Sequence, residues 1–290
     1  MTDTLTPPDL LTRPTSDQLR EHAHHVRELI VHMCSNGEGG HIGGSLSLAD
    51  ILVTLYFDVL RVDPADPADP DRDVLLLSKG HGGIGLYAVL GARGFFPEDD
   101  LAGYGTPGSA LSAHPTPAVP GVEMPTGSLG HGLPLGVGFA LAARLDDAPR
   151  RCFVVLGDGE LQEGSVWEAA LSAGAQGLDG LVAVVDRNRL QITGGTEDVV
   201  ALEPLADKWR SFGWAVREVD GHDVDALRSA LGTTPHEPGR PTVVIADTVK
   251  GKGLPFIEGQ VRSHYARLGE AQKKRALSAL RRGRQAEVRS

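Results

Sequence analysis

Runs of apolar, largely β-branched residues recur along the chain and alternate with longer amphipathic segments. The runs VLLL, CFVVL, LVAVV and TVVIA begin at Val74, Cys152, Leu181 and Thr242, and a further run opens at Trp214. A short continuous apolar run is typical of a buried parallel strand, because helices cover both faces of such a sheet. Strands that alternate with helices, with glycines clustered after the strands, predict an α/β fold, a doubly wound parallel sheet flanked by helices.

Apolar residues at helical spacing predict a first helix that Thr15 or Ser16 can cap. The residues on its apolar face are Leu19, Ala23, Val26, Ile30 and Met33. Its histidines, His22, His24 and His25, are expected on a solvated face, since no carboxylate or thiol at metal-ligand spacing accompanies them.

The segments after this helix predict the rest of the fold. A loop is expected over residues 35–47 and a second helix over residues 47–60. The Asp- and Pro-rich segment 63–73 lacks the glycine and terminal glutamate of a calcium loop, so we expect a rigid surface connection. A glycine-rich stretch over residues 103–132 is long for a loop in a compact domain, and loops of that length are usually functional.

Four further helices are expected, at residues 130–146, 204–212, 224–231 and 269–290. The first of them consists mostly of small residues and should pack tightly against the sheet, whereas the last is a basic tail. No repeat or linker divides the chain. We therefore predict one domain over residues 15–268, with a flexible Pro-rich arm at 1–14 before it and the tail at 269–290 after it.

Composition narrows the classes of function. A chain of 290 residues that is 41% hydrophobic can bury a large α/β core. Its formal net charge of −10 argues against binding to nucleic acid or a membrane surface, so backbone dipoles, histidines or a metal must hold any anionic ligand. The two cysteines, Cys34 and Cys152, make a disulfide framework improbable. Without a signal-peptide pattern or a membrane-spanning apolar run, we expect a cytoplasmic protein.

The strongest chemical signal lies where two strands end. Gly157, Asp158 and Gly159 follow the CFVVL run, and Asn188 follows the LVAVV run. Ligands of open parallel sheets bind at the carboxyl ends of the strands, and flanking glycines let the backbone approach a large anion. One carboxylate, one amide and nearby carbonyls suit Mg²⁺, which usually keeps phosphate oxygens as further ligands. The ligand that this arrangement implies is a diphosphate.

A competing motif lies after the VLLL strand. Gly80, Gly82 and Gly85 match G-x-G-x-x-G and suggest an NAD-dependent oxidoreductase as a rival interpretation. Lys79 and His81 interrupt the usual apolar and small pattern of that motif. The rival also leaves GDGE and Asn188 without a role.

At this point the motifs resemble a known family. GDGE at 157–160, with Asn188 about thirty residues after its aspartate, matches the thiamine-diphosphate-binding motif, and GDGELQEGSVWEAA resembles transketolase. Other segments that resemble transketolase are GHIGGSLS at 40–47, LLSKGHGGIGLYAVL at 76–90, TGSLGHGLPLGVGFALAAR at 126–144 and TVKGKG at 248–253. The resemblance extends from about residue 16 to about residue 265, in the order of the family's motifs.

The resemblance implies the N-terminal, diphosphate-binding subunit of a split, two-subunit transketolase, which transfers a two-carbon ketol unit from a ketose to an aldose. A C-terminal partner subunit would supply the pyrimidine-binding domain and the catalytic glutamate, so this chain alone is expected to be inactive. We expect an α2β2 assembly, because oligomers favour closed two-fold symmetry. A non-catalytic subunit of a thiamine enzyme is the remaining alternative.

The resemblance also implies the cofactor contacts. Asp158, Asn188 and the carbonyl of Leu190 would hold Mg²⁺, or Ca²⁺ or Mn²⁺ in its place. The residues implied to contact thiamine diphosphate are His81, Gly127, Ser128, Leu129, Gly157, Asp158, Gly159, Glu160 and Asn188.

The catalytic histidines implied by the resemblance are His41, His81, His114 and His264. Neutral imidazoles both donate and accept protons near pH 7, as chemistry on sugar hydroxyls requires. Tyr265 stands where the family usually has glycine, so it is expected either to narrow the pocket or to shift the assignment of His264. Glu163 would link two active sites across a subunit interface, with a helix-start glutamate as the alternative, and His222 is expected to be structural.

Overall fold

The computed structural model describes residues 13–36 and 39–287, without the side chains of 286 and 287. The predicted Pro-rich arm at 1–14 therefore lies almost wholly outside the described residues. The predicted basic tail is a helix as far as the described residues extend.

Five parallel strands form the central sheet. A separate hairpin consists of two antiparallel strands of two residues each. In chain order the strands are β1 (Val74–Leu77), β2 (Cys152–Gly157), β3 (Leu181–Arg187), the hairpin strands β4 (Leu190–Gln191) and β5 (Gly194–Gly195), β6 (Ala215–Asp220) and β7 (Thr242–Asp247). The strand order in the sheet is β1-β2-β3-β7-β6. The predicted parallel sheet is confirmed, and β2 and β3, which carry the glycine–aspartate turn and the asparagine, are neighbours.

Helices cover both faces of this sheet. They are α1 (Ser16–Met33), α2 (Ile42–Ser47), α3 (Ala49–Thr54), α4 (Gly83–Arg93), α5 (Gly132–Leu145), α6 (Gly164–Ala175), α7 (Thr196–Val199), α8 (Leu205–Ser211), α9 (Val224–Gly232) and α10 (Glu270–Glu287). Among the described helices, none combines the length and the apolar character needed to cross a bilayer.

Side chains alternate between two hydrophobic cores along each central strand. On β2, Phe153 and Val155 pack with α1, α3, α4 and α9, whereas Val154 and Leu156 pack with α5, α6 and α8. This alternation follows from the two-residue period of a strand and explains why the strand sequences are continuously apolar. The sheet is therefore doubly wound, as predicted.

Two predicted details are confirmed. Thr15 caps α1: its side chain accepts from the backbone N–H of Gln18, whose side chain in turn accepts from the backbone N–H of Thr15. Helix α5 lies tightly on the sheet, since a Cβ atom on Gly136 would stand 2.5 Å from Cγ2 of Val154. Small residues in this helix allow that approach.

Two predicted details are wrong. The chain over residues 35–47 is not a loop throughout, because α2 begins at Ile42 and all its residues are buried, where backbone polar groups need partners within the chain. The histidines of α1 do not form a solvated face. His22 is buried, and its ring stacks on that of Phe57 with centroids 4.1 Å apart. His25 Nε2 lies 2.7 Å from Glu98 Oε2. Helical periodicity did not reveal these partners, because they lie far away along the chain.

Candidate functional site

Asp158 and Asn188 lie side by side at the carboxyl edge of the sheet. The two strands pair in register, with Gly157 opposite Asp186. Asp158 is 1% exposed; its Oδ2 accepts from the backbone N of Arg189 at 2.5 Å, and its Oδ1 accepts from the backbone N of Gly159 at 2.8 Å. The Oδ1 of Asn188 accepts from the backbone N of Leu190 at 3.2 Å. The pair predicted from sequence is thus brought together on neighbouring strand ends.

A second buried carboxylate, which the sequence analysis missed, lies beneath this pair. Asp186 accepts from Lys79 Nζ at 2.5 Å, from Ser47 Oγ at 2.7 Å and from Thr248 Oγ1. Burial opposes its ionisation, but the charge of Lys79 and these hydrogen bonds lower the pKa of Asp186. An acid inside the apolar run LVAVVD was the signal in the sequence, since a strand interior rarely holds an unpaired charge.

Burial and the neighbouring Asp186 raise the pKa of Asp158. A carboxyl group in such surroundings is stabilised in its charged form when a cation binds beside it. Within residues 13–36 and 39–287, no cluster of three or more His, Cys, Asp or Glu side chains could hold a metal ion. An ion at Asp158 would therefore rely on amide, carbonyl and phosphate oxygens, and this donor set suits Mg²⁺.

Lys250, also missed from sequence, joins the metal-ligand candidates to the histidines. Its Nζ donates to the backbone carbonyl of Leu190 at 3.1 Å and lies 3.2 Å from His264 Nδ1. Burial, together with the positive charge of Lys79, lowers the pKa of Lys250 to about 8. Lys79 is ion-paired with Asp186, so Lys250 is the buried lysine at this edge whose charge suits an anionic ligand. The sequence motifs that contain these two lysines are SKGH and TVKGKG.

Glu160 connects three segments around the strand ends. Its Oε1 accepts from Ser78 Oγ at 2.5 Å and from the backbone N of Gly130 at 2.9 Å, and its Oε2 accepts from the backbone N of Gly157 at 3.0 Å. Burial raises the pKa of this carboxyl group, while these hydrogen bonds oppose the shift. Because both oxygens face protein donors, Glu160 shapes the loop before α5. Its contact with a diphosphate stays a prediction.

The loop over residues 126–130 borders the same edge. A Cβ atom on Gly80 would stand 2.5 Å from the backbone C of Thr126, and one on Gly127 would stand 3.3 Å from Cδ2 of His114. Gly127 and Ser128 are exposed, and Leu129 is partly buried. The buried Oγ1 of Thr126 has no hydrogen-bond partner among the described residues. An exposed glycine–serine backbone beside a free hydroxyl fits a cofactor-binding loop.

The G-x-G-x-x-G match has another explanation. Besides the contact of Gly80, a Cβ atom on Gly82 would stand 2.8 Å from Leu48 Cδ1, and one on Gly85 would stand 3.2 Å from the carbonyl oxygen of Ser45. Protein occupies the space that these glycines leave, so they serve helix packing rather than the approach of a dinucleotide. This geometry does not favour the oxidoreductase.

Four predicted histidines come from separate loops and lie in one cluster. The ring centroid of His41 lies 5.4 Å from that of His81, 5.3 Å from that of His264 and 6.1 Å from that of His114. The rings of His81 and His264 are 5.2 Å apart. Tyr265 stacks edge-on against His41 with centroids 5.0 Å apart. The tertiary fold thus brings all four together beside Lys250.

Three of the clustered histidines, His41, His81 and His264, are neutral at pH 7. Burial, then the neighbouring His114 and Lys250, lower the pKa of His41 to about 4. Burial and the charge of Lys79 lower the pKa of His81 to about 2, and burial and Lys250 lower that of His264 to about 4. The buried Nδ1 of His41 has no hydrogen-bond partner among the described residues. A neutral ring with a free nitrogen suits proton exchange with a hydroxyl group.

His222 and Glu163 lie outside the cluster. His222 Nε2 accepts from the backbone N of Val249 at 2.8 Å, so its Nδ1 carries the proton and donates to Asp50 Oδ2 at 2.6 Å. His222 thereby holds the segment that carries Lys250, which agrees with a structural role. Glu163 is the exposed N-cap residue of α6 and makes no capping hydrogen bond in the described part of the chain. Its role across an interface stays a prediction.

Comparisons with known proteins agree with this geometry. The family described as "Transketolase, thiamine diphosphate binding domain" matches residues 19–281. A 6-deoxy-6-sulfo-D-fructose transketolase subunit of Clostridium sp. (strain MSTE9) is 43% identical over 263 residues, which cover 90% of this chain and 96% of that protein. One subunit of the apulose-4-phosphate transketolase of Phocaeicola vulgatus is 44% identical over 239 residues, 82% of this chain and 85% of that protein.

A solved structure extends the similarity to the backbone. The crystal structure of transketolase from Campylobacter jejuni superimposes with a TM-score of 0.85 at 32% identity. The match covers 90% of this chain but 42% of that one. The chain therefore spans less than half the length of that transketolase, whereas it spans nearly all of the related subunits.

Proposed function

This chain belongs to the transketolase family and carries its thiamine-diphosphate-binding domain, and from that premise we propose that it is the diphosphate-binding subunit of a two-chain enzyme that transfers a ketol unit between sugars. The observation that carries the proposal is the placement of Asp158 and Asn188 on neighbouring strand ends, with Lys250 joining them to the histidine cluster. One edge of the sheet thus offers an anchor for a diphosphate and groups that act on a sugar.

We propose that Asp158, Asn188 and the carbonyl of Leu190 hold a divalent cation, Mg²⁺ or Ca²⁺ or Mn²⁺ in its place. A cation at this carbonyl would repel the charge of Lys250 Nζ, and a phosphate oxygen is the partner that this charge favours. The segment Gly127, Ser128 and Leu129 would face the cofactor through its backbone. Gly157 and Gly159 would line the site, with their N–H groups donating to Glu160 and Asp158. Burial of the anchor strengthens each of these electrostatic contacts.

When bound, thiamine diphosphate supplies the nucleophilic carbon that accepts the two-carbon unit. The roles proposed for His41, His81 and His264 follow from their neutral state, and that of His114 follows from its place in the cluster. His41, whose Nδ1 is free among the described residues, is placed to take a proton from a sugar hydroxyl. His81, His114 and His264 would hold the hydroxyl and carbonyl oxygens of the sugar by hydrogen bonds.

A second chain in the enzyme follows from the names of the related proteins, which are described as subunits. We propose that the partner supplies a pyrimidine-binding domain and a catalytic glutamate, and that two copies of each chain assemble. The two related subunits are named for different sugars, so the proposal for this chain is limited to a ketose donor and an aldose acceptor. Light scattering that gives a stable complex of one copy of each chain would contradict the proposed stoichiometry.

The decisive experiment mixes this chain with its partner, thiamine diphosphate, Mg²⁺ and a panel of ketose donors. We expect ketol transfer by the mixture and none by this chain alone. Asp158→Ala should abolish transfer and cofactor binding, whereas Asp207→Ala, at an exposed position of α8, should leave both unchanged. Transfer that survives Asp158→Ala would mean that this chain is a non-catalytic scaffold and would refute the proposal.

A further inference from the structure

Arg187 closes β3 one residue before Asn188, and its side chain is 2% exposed. Its Nη1 donates to Asp158 Oδ2 at 3.2 Å and to Thr196 Oγ1 at 2.8 Å. Its Nη2 donates to one oxygen each of Glu197, at 2.7 Å, and Glu203, at 2.9 Å. A single buried guanidinium therefore joins the proposed metal ligand to the segment over residues 196–203.

The carboxylates on this segment are fixed to its backbone as well as to Arg187. Glu197 Oε2 accepts from the backbone N of Leu202 at 3.0 Å and from that of Glu203 at 3.2 Å. Glu203 Oε2 accepts from the backbone N of Leu205 at 2.9 Å. The segment is thus folded around the guanidinium, because two of its acids and one hydroxyl share that group.

The charges explain how Arg187 can lie so close to a cation site. Glu197 and Glu203 together offset the charge of the guanidinium, and their contacts are shorter than its contact with Asp158. Arg187 therefore adds little net repulsion toward an ion at Asp158. Arg187 instead adds a hydrogen-bond donor in a fixed direction. Together with the backbone N–H groups of Gly159 and Arg189, this donor holds both oxygens of the Asp158 carboxylate in one orientation.

We infer that Arg187 is a positioning residue for the metal site: it orients the Asp158 carboxylate for a divalent cation and couples that orientation to the segment over residues 196–203. The inference rests on the proposed function and concerns affinity for the ion rather than ketol transfer. The planar guanidinium group of arginine donates to Asp158 and to the two glutamates at the same time. A lysine at this position would keep the charge but could not make these hydrogen bonds together.

The test measures Mn²⁺ binding to the two-chain complex at saturating thiamine diphosphate, with free Mn²⁺ followed by electron paramagnetic resonance. Arg187→Lys is expected to weaken Mn²⁺ binding by about tenfold or more, the usual effect of removing a group that orients a metal ligand. Arg210→Lys is the matched control. The side chain of Arg210 pairs with Asp207 on the surface of α8, so Mn²⁺ affinity should stay within about twofold of wild type.

A second variant decides the question if Arg187→Lys does not fold. Glu203→Gln, at a side chain that is 57% exposed, should weaken Mn²⁺ binding a few-fold because the guanidinium loses one of its anchors. A purely structural role would lower the unfolding temperature of these variants and leave the Mn²⁺ affinity of the folded complex unchanged, which would overturn the inference. A wild-type complex without cofactor-dependent Mn²⁺ binding would overturn the proposed function itself, and this inference with it.

Discussion

Lys250 Nζ donates to the backbone carbonyl of Leu190 at 3.1 Å, although these residues are sixty positions apart in the chain. The contact spans the two halves of the site, since the same nitrogen lies 3.2 Å from His264 Nδ1. Lys250 is 3% exposed, so its charge acts where water is scarce. We expect this buried ammonium group to be the charge complement of the proposed diphosphate.

Lys250→Met is therefore expected to weaken binding of thiamine diphosphate. A hydrogen bond to a charged group contributes about 1.5–3 kcal/mol, so we expect a loss of roughly tenfold to a hundredfold in affinity. The measurement is calorimetric titration of the two-chain complex with thiamine diphosphate at saturating Mg²⁺. Lys252→Met, two residues along the same segment, is the control and should bind as wild type. Equal affinities for wild type and Lys250→Met would exclude contact between this lysine and the diphosphate.

Gly80→Ala should disrupt the cofactor-binding edge. The added Cβ atom would stand 2.5 Å from backbone atoms of Thr126, which cannot move without shifting the loop that follows. We expect a lower unfolding temperature and weaker binding of thiamine diphosphate. Gly138→Ala is the matched control, because no described atom beyond its chain neighbours and the nearby backbone of α5 lies within 4 Å of its Cβ position, and alanine favours a helix by about 0.5–1 kcal/mol. A Gly80→Ala variant as stable as wild type would contradict the packing described for this turn.

His22→Phe should make the fold less sensitive to acid. Burial, and then the charges of His25 and Arg93, lower the pKa of His22 to about 4 in the folded chain, below its value of about 6.5 in an unfolded one. Between these values the unfolded state binds more protons, so folding loses stability as pH falls below about 6.5. The loss that His22 causes at pH 5 amounts to at most ~2 kcal/mol.

Thermal unfolding of both proteins at pH 7 and pH 5 measures this contribution. The fall in unfolding temperature between the two pH values should be smaller for His22→Phe than for wild type, because phenylalanine keeps the stacking on Phe57 and binds no proton. His131→Phe, at an exposed histidine, is the control and should keep the full fall. An identical fall in all three proteins would show that His22 is not protonated selectively on unfolding.

Tyr265→Gly should broaden the range of ketose donors that the two-chain complex uses. Tyr265 is 47% exposed and its ring stands against His41, so we expect it to limit access to the histidine cluster. Removing it should raise kcat/KM for longer ketoses relative to shorter ones by several-fold, since each methylene of pocket fit corresponds to about 1–3 kcal/mol. Tyr265→Phe keeps the ring and should retain the wild-type ratio. If Tyr265→Gly also retains that ratio, Tyr265 does not limit donor length.

Much of the site could be predicted from the local sequence. Asp158 and Asn188 follow continuous apolar runs, so the pattern placed both at the carboxyl ends of parallel strands, and the structure makes those two strands neighbours. The histidines were found by the resemblance of their glycine-rich segments to a known family. Two predictions from sequence were wrong. His22 stacks on Phe57, which is distant along the chain, and α2 is helical although its sequence is rich in glycine.

The sequence by itself determined the alternation of strands and helices, the family and the positions of the cofactor motifs, because each depends on residues that are close along the chain. Only the tertiary structure decided the electrostatics of the site. Lys79 meets Asp186, Lys250 meets the carbonyl of Leu190, and Arg187 meets Asp158 through contacts that depend on strand order and on the path of the loops. The physical reason is burial: a charge in the interior needs a partner, and the fold alone brings distant residues close enough to supply it.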